Sequence, residues 1–324
     1  MIERVNRRML LAVAATSLAI PAIAQEGFPN RPLRLLVGYT PGGAVDIAAR
    51  SFAPKMGDVL GQPVVVENRP GAGSNIASEA AVRSPADGHT ILLATIGALV
   101  ISPMVMRLSF DPQRDLVPVS VAVDLFNILV VPADRPWRNV AELIAAAKAE
   151  PGRLSYGHSG IAGGPHLAGL LFDRMAGIET IPVSYRGGAL VATDLLSGRI
   201  DYSFATAASV LPHVQSGRLR ALAVPTLQRS RLLPDVPTVA ESGVPDFDVP
   251  GWYAVVAPRG TPEAAIERLA GAMRIALDDA AVTASLNRNG LEPMPTTPAG
   301  LATAWAAERA KWEPIIRDSG IRIE

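Results

Sequence analysis

The sequence has no cysteine, few aromatic residues and only four histidines. The first absence excludes disulfides, a thiolate nucleophile and any cysteine-based zinc site. The histidines, His89, His158, His166 and His213, are not spaced as H-E-x-x-H, so the pattern gives no support to a metal centre. Excess charge is missing too: 30 Lys and Arg face 30 Asp and Glu, which offers nothing to attract nucleic acid or an anionic membrane surface. No uninterrupted apolar run reaches the roughly 20 residues needed to cross a bilayer. Stability therefore rests on packing, and 324 residues with 49% hydrophobic content suffice for a large core in two domains.

What is present begins with a leader. MIERVNRR carries Arg4, Arg7 and Arg8, residues 9–23 are mostly apolar, and Ala22-Ile23-Ala24 forms an A-x-A site. This predicts a secretory signal peptide over residues 1–24, cleaved after Ala24, and a soluble periplasmic chain that does not insert into the membrane. Asn6 and Met9-Leu10 fit a twin-arginine signal poorly, so general secretory export is expected despite Arg7-Arg8. Loss of the three leader arginines and Glu3 leaves the exported chain slightly acidic.

Short Val/Ile/Leu runs alternate with Ala-rich helical stretches, the pattern of parallel βα units, so the fold class is α/β. Strands are predicted at 33–39, 64–68, 90–95, 128–132, 154–156, 180–185, 201–205, 219–224 and 252–257. Asn139 with Glu142 predicts a helix start, and Thr261-Pro262-Glu263 and Thr297-Pro298 predict two more. The Pro- and Asp-rich segments 117–127 and 233–250 bracket a run with its own βα pattern, as two passes between domains would.

Three glycine-rich turns share one design. Tyr39-Thr40-Pro41-Gly42-Gly43 opens a helix near Ala44, residues 69–75 follow a strand, and Ser159 to Gly164 precede Pro165. Helix N-termini present free N–H donors and partial positive charge, and open α/β sheets place ligands beyond their strand ends. Such turns also serve merely to pack a helix on its sheet. Nucleotide motifs fail: Gly71-Ala72-Gly73-Ser74-Asn75-Ile76 breaks G-x-G-x-x-G at its last place, and no Gly-Lys-Ser/Thr P-loop occurs. Gly157-His158-Ser159-Gly160 begins a serine nucleophile elbow, but Ile161 occupies the place of its last glycine.

At these residues the chain resembles the periplasmic substrate-binding proteins of tripartite tricarboxylate transporters, the Bug receptors. The resemblance spans nearly all of the exported chain through separated blocks: GYTPGGAVDIAAR, GQPVVVENRPGAGSNIA, ADGHTILLAT, YGHSGIAGGPHLAGLLF, SYRGGALVATDLLSGRIDYSF, GRLRALAV and RSRLLPDVPTVAESGVPDF. It implies a two-domain type II periplasmic binding fold with a hinge and cleft, domain 1 being residues 25–124 and 248–324 and domain 2 residues 125–247. It also implies a carboxylate solute delivered to membrane permease subunits; no cofactor, no catalysis and a monomer are expected beside it. The chain departs from the family at His158, where a small residue is common, at Ala162 and Gly164 in a loop usually richer in Gly and Ser, at Ser74 for a frequent glycine, and at His89 for a frequent tyrosine.

The candidate ligand contacts follow the loops. The first supplies Tyr39, Thr40, Pro41, Gly42, Gly43, Ala44 and Asp46, where Asp46 serves equally to stabilise its helix. Ser74, Asn75, Thr95 and Gly97 follow. The third loop supplies His158, Ser159, Ala162, Gly163, Gly164 and His166; Ser159 is read as ligand donor, loop cap or nucleophile, and His166 as cap, packing or contact. Tyr185, Arg186, Asp201 and Phe204 complete the set, Arg186 as a carboxylate partner or surface residue and Phe204 as core or stacking wall. A histidine beside a bound anion would have its pKa raised. Two alternatives stay open: a secreted serine hydrolase using Ser159, and a periplasmic sensor signalling to a membrane kinase.

Overall fold

The computed structural model describes residues 27–161, 163–230 and 232–319. The expected signal peptide and Ala162 lie outside them. A six-stranded sheet and a second strand layer, made of a two-stranded and a three-stranded sheet linked by one isolated bridge, organise the chain. The first has the order β2-β1-β3 for Val64–Asn68, Leu33–Val37 and Thr90–Thr95, all parallel, followed by antiparallel β10 (Gly251–Pro258), β4 (Leu116–Leu125) and β11 (Leu291–Pro293). In the second, β6 (Ser155–His158) pairs with β7 (Ile181–Ser184) and touches the start of β8 (Ser203–Thr206) through a parallel bridge at Tyr156 and Tyr202. Strand β5 (Asn127–Pro132) then runs antiparallel to both β8 and β9 (Leu219–Ala223). Both lobes thus repeat one plan: three parallel strands with the first in the middle, then an antiparallel return strand.

Burial explains the plan. Strands β3, β5 and β10 are buried at every position, which is why they read as unbroken apolar runs, while edge strand β2 leaves Val65 exposed. Helix α1 (Ala44–Leu60) buries Val45, Ala48, Ala49, Phe52, Ala53 and Met56, its alanines permitting close approach to the sheet. It ends at left-handed Gly61, whose N–H bonds the Gly57 carbonyl at 2.9 Å. The other helices used below are α2 (Asn75–Val82), α3 (Val140–Ala149), α4 (Gly164–Ala176), α5 (Gly188–Leu196), α6 (Ala207–Gln215), α7 (Glu263–Leu277), α8 (Ala280–Arg288) and α9 (Pro298–Ser319).

Asn139 caps α3, accepting from the Glu142 N–H at 2.9 Å, and Thr297 accepts from the Gly300 N–H at 3.0 Å at the start of α9. Thr261 does not cap α7: its hydroxyl turns back to the Pro258 carbonyl at 2.8 Å, and Pro262 takes the N-cap position. Most of the Pro- and Asp-rich segment 117–127, read as a pass between domains, lies in the ten-residue strand β4. Pro118 misleads the eye because it sits beside a register shift opposite Val255 and Val256, where a strand tolerates proline. From β4 the chain enters β5 through Phe126 alone, and it returns to the first sheet where β10 begins at Gly251. Helix α9 adds Trp305, Trp312 and Ile316 to a core cluster that also holds Phe172, Phe204 and Phe247 of the second lobe. Among the described residues no helix is long and apolar enough to cross a membrane.

Candidate ligand-binding site

The parallel strands of both sheets send their carboxyl ends towards one interlobe cleft. Deep in it lies a cavity of about 50 Å³, several times the ~10–15 Å³ that one water requires. Helices α1, α4, α5 and α6 all begin on it: Gly43, Gly163, Gly187 and Thr206 are their N-cap residues, all four line the cavity, and none makes a side-chain cap. First-turn N–H groups have no partner inside their own helix, so four positive helix ends face one small space. No Lys, Arg, His, Asp or Glu lines it among the described residues. Its remaining wall is apolar, with Leu125, Leu167, Val249, Trp252 and Trp312.

In the first loop, Tyr39, Gly43 and Ala44 line the cavity, but Thr40, Pro41, Gly42 and Asp46 do not. The Gly42 N–H is already donated to Asp46 Oδ2 at 2.9 Å, and the Gly43 N–H goes to the Thr40 carbonyl at 3.2 Å. The donors this loop offers are therefore the first N–H groups of α1 itself, at Ala44 and Val45. Left-handed geometry is required at Gly42 (φ 79°), whereas Gly43 has φ −78°. Asp46 is buried as a brace: besides Gly42 it accepts from Asn68 Nδ2 at 2.8 Å and from Arg50 Nε at 2.9 Å. Burial opposes its charge, but these hydrogen bonds and the Arg50 guanidinium outweigh burial and hold its pKa below the ordinary value. Thr40 reaches the other lobe, donating to the Arg186 carbonyl at 3.3 Å.

Thr95, Gly97, Ser159, Gly163 and Gly164 line the cavity as well. Tyr39 and Thr95 share a hydroxyl contact of 3.4 Å, and burial raises the Tyr39 pKa, keeping it neutral. Ser74, Tyr185 and Arg186 instead line a wider open groove of about 1290 Å³ at the mouth of the cleft, which Ser159 also touches. Asn75 lies aside, its amide donating to Ser102 Oγ at 3.2 Å. His158 and His166 stand behind the loop, both buried, with ring centroids 4.3 Å apart. Burial pushes His158 down to about 4 against a hydrogen bond to the Gly160 backbone, and burial with the neighbouring His158 pushes His166 down to about 3. In this structure the shift runs opposite to the rise expected beside an anion. Asp201 pairs with Arg135 at 2.9 Å and accepts from the Ser155 N–H at 2.9 Å, away from the cavity. Phe204 is core, stacked on Phe247 at 5.6 Å and edge-on to Phe172 at 5.4 Å.

Sequence reading missed Asn127, Thr206, Ser209, Trp252, Tyr253 and Trp312, all of which line the cavity. A polar Asn heading the apolar run ILVVP was the one available signal among them. Thr206 shares a side-chain hydrogen bond with Tyr253, whose pKa is raised chiefly by burial, so this contact joins the second lobe to the first sheet.

The family model described as the tripartite tricarboxylate transporter family receptor matches residues 48–321. Protein BugT of Bordetella pertussis is 35% identical over 98% of this chain and 100% of its own length. Among solved structures, R. palustris Rpa4515 with adipate superposes with a TM-score of 0.87 at 35% identity, covering 91% of this chain and 99% of that one. MatC (Rpa3494) from Rhodopseudomonas palustris with bound malate superposes with a TM-score of 0.85 at 28% identity, covering 89% and 100%. With a family match over most of its length and relatives of the same extent, the chain belongs to the receptor family of tripartite tricarboxylate transporters.

Proposed function

We propose that this protein is a periplasmic receptor that closes on a small organic carboxylate and presents it to the membrane subunits of a tripartite tricarboxylate-type transporter. The observation that carries the reading is the convergence of four helix N-termini, none with a side-chain cap, on a cavity that no charged side chain lines among the described residues. Such a site favours an anion and disfavours a cation without any Lys or Arg. Relatives holding adipate and malate support the ligand class. Ala44, Gly164, Gly188 and Ser159 are the groups we assign to the carboxylate. Residues 25–124 with 248–324, and residues 125–247, act in this reading as two domains hinged beside Phe126 and before Gly251.

The role is binding without turnover. Ser159 faces a lining that contains neither a histidine nor a carboxylate, so nothing there would take its proton. A thermal-shift screen of aliphatic mono-, di- and tricarboxylates, aromatic acids and amino acids tests the proposal. A ligand at a hundredfold its dissociation constant adds about 2.7 kcal/mol to the folded state. A clear rise in Tm with at least one carboxylate is expected; no rise with any of them, or serine-dependent ester hydrolysis, overturns the reading.

A further inference from the structure

Asn127 is 1% exposed, lines the cavity, and its Oδ1 has no hydrogen-bond partner among the described residues. It heads β5, where its Cα pairs with Thr206, the N-cap of α6. Its amide lies against the first turn of α4: a Cβ placed on Gly164 would stand 3.2 Å from Asn127 Nδ2. Ser209 is arranged in the same way on α5. Ser209 lines the cavity, its Oγ is buried without a partner among the described residues, and a Cβ on Gly188 would stand 2.3 Å from it. Glycine at 164 and 188 thus makes room for two polar side chains, each with one oxygen unpaired among the described residues, beside two helix N-termini.

The two groups ask for different things. The Ser209 hydroxyl can donate, as can the first-turn N–H groups still free at the helix N-termini, the Ala207 N–H being already given to the Phe126 carbonyl at 3.0 Å, so a carboxylate suits donors of this kind. The Asn127 carbonyl oxygen only accepts, and a carboxylate also only accepts. A buried acceptor next to an anion is satisfied by a donor on the ligand, and leaving it unpaired is costly. An ammonium donor would face four positive helix ends with no Asp or Glu in the lining to offset its charge. A hydroxyl supplies the donor with no added charge.

Resting on the carboxylate-receptor reading, we infer that the cavity selects a short hydroxy acid over the same acid without its hydroxyl and over the matching amino acid, with Asn127 Oδ1 accepting from the ligand hydroxyl and Ser209 donating to its carboxylate. Sites built to bond a substrate hydroxyl discriminate strongly against analogues that lack it.

Calorimetric titration of the purified protein decides this with three pairs: malate and succinate, lactate and propionate, 3-hydroxybutyrate and butyrate, with aspartate beside malate. At least one hydroxy acid should bind tenfold or more tightly than its partner, a difference of about 1.4 kcal/mol, and malate more tightly than aspartate. In Asn127→Leu, which is close in volume, that ratio should fall to near one. Ratios below tenfold for all three pairs in the wild type would overturn the inference while leaving a carboxylate receptor, since an ordered water would then satisfy Asn127. So would a tenfold preference for aspartate, or a ratio that survives in folded Asn127→Leu. The wild-type ratios stand as a test even if that variant does not fold. Absence of binding by every one of these acids would overturn the inference too, whereas the receptor reading falls only if the full carboxylate screen raises no Tm.

Discussion

Asp46 shows how a residue outside the cavity lining can shape a loop that supplies part of that lining. Its carboxylate gathers the Gly42 N–H, the Asn68 amide and Arg50, and Asn68 passes the constraint on through a 3.0 Å bond to the Tyr39 carbonyl. Removing it strands two of these donors, so Asp46→Ala should lower stability by about 2–3 kcal/mol, with Arg50 counted lightly because it is largely exposed. Urea unfolding checks the value. A depressed carboxylate pKa means the bonus is present above the ordinary carboxylate range and is lost as pH falls through the folded value. The histidines act in a different window. With His158 and His166 pushed down to about 4 and about 3, the unfolded chain binds more protons than the folded one below about 6.5. Stability should therefore fall from pH 6.5 towards pH 4, by up to about 1.4 kcal/mol per pH unit for each histidine. His158→Phe, which keeps a packed ring, should remove one histidine's share of that slope. An unchanged slope in urea titrations at pH 4.5, 5.5 and 7 would contradict it. Ligand affinity should stay flat between pH 6 and 8. Ser159→Ala should weaken binding by roughly 1.5–3 kcal/mol, as expected for a hydrogen bond to a charged group.

At the scale of elements, what could be read from the sequence was local. Strand, glycine turn and helix start lie within a dozen residues of one another, so β1 with α1 and β6 with α4 announce themselves through periodicity and turn chemistry. Asn127, Ser209 and Trp312 come from three distant stretches and meet only because sheet order and α9 bring them together; neither is a local property. The groove-lining loop before α2 adds strain that sequence does not display: Ala72, Gly73 and Ser74 all have positive φ, at 48°, 63° and 81°. Left-handed non-glycine residues cost about 1–3 kcal/mol each and persist where the surroundings hold them. Here Gly73 meets the other lobe, for a Cβ on it would stand 2.5 Å from the Ile161 carbonyl oxygen. Gly73→Ala should cost about 1–2 kcal/mol of stability through its φ alone. It should cost at least roughly tenfold in ligand affinity as well if, as the proposed reading has it, this close approach forms on closure. A folded variant with wild-type affinity would show that this contact does not belong to closure.

The whole molecule is drawn shut. Thr40 bonds the Arg186 carbonyl, Gly73 abuts Ile161, Thr206 bonds Tyr253, and Gly290 lies close enough to Ala207 that a Cβ would stand 2.7 Å from that methyl. These contacts are small and partly polar, whereas the connections at the back of the cleft are covalent and apolar: the strand passages beside Phe126 and Gly251, and α9 with Trp312 in the shared core. In the proposed reading, weak contacts in front and firm connections behind would allow an equilibrium between open and closed forms, which a ligand shifts only by binding one form better. The cavity is built from both lobes, with α1 on one side and α4, α5 and α6 on the other, so only the closed form offers the full set of helix ends. The ligand-free protein should therefore show a larger radius of gyration in small-angle X-ray scattering than the protein saturated with the carboxylate that most raises its Tm. Gly73→Ala should stay near the ligand-free value at the same ligand concentration. Trp252 and Trp312 line the cavity, so closure should also change tryptophan fluorescence with the same midpoint as the scattering change. Identical scattering with and without a bound ligand would mean that the lobes are fixed in the closed arrangement, and that the ligand reaches the helix ends through the groove between Ser74 and Arg186 without any hinge motion.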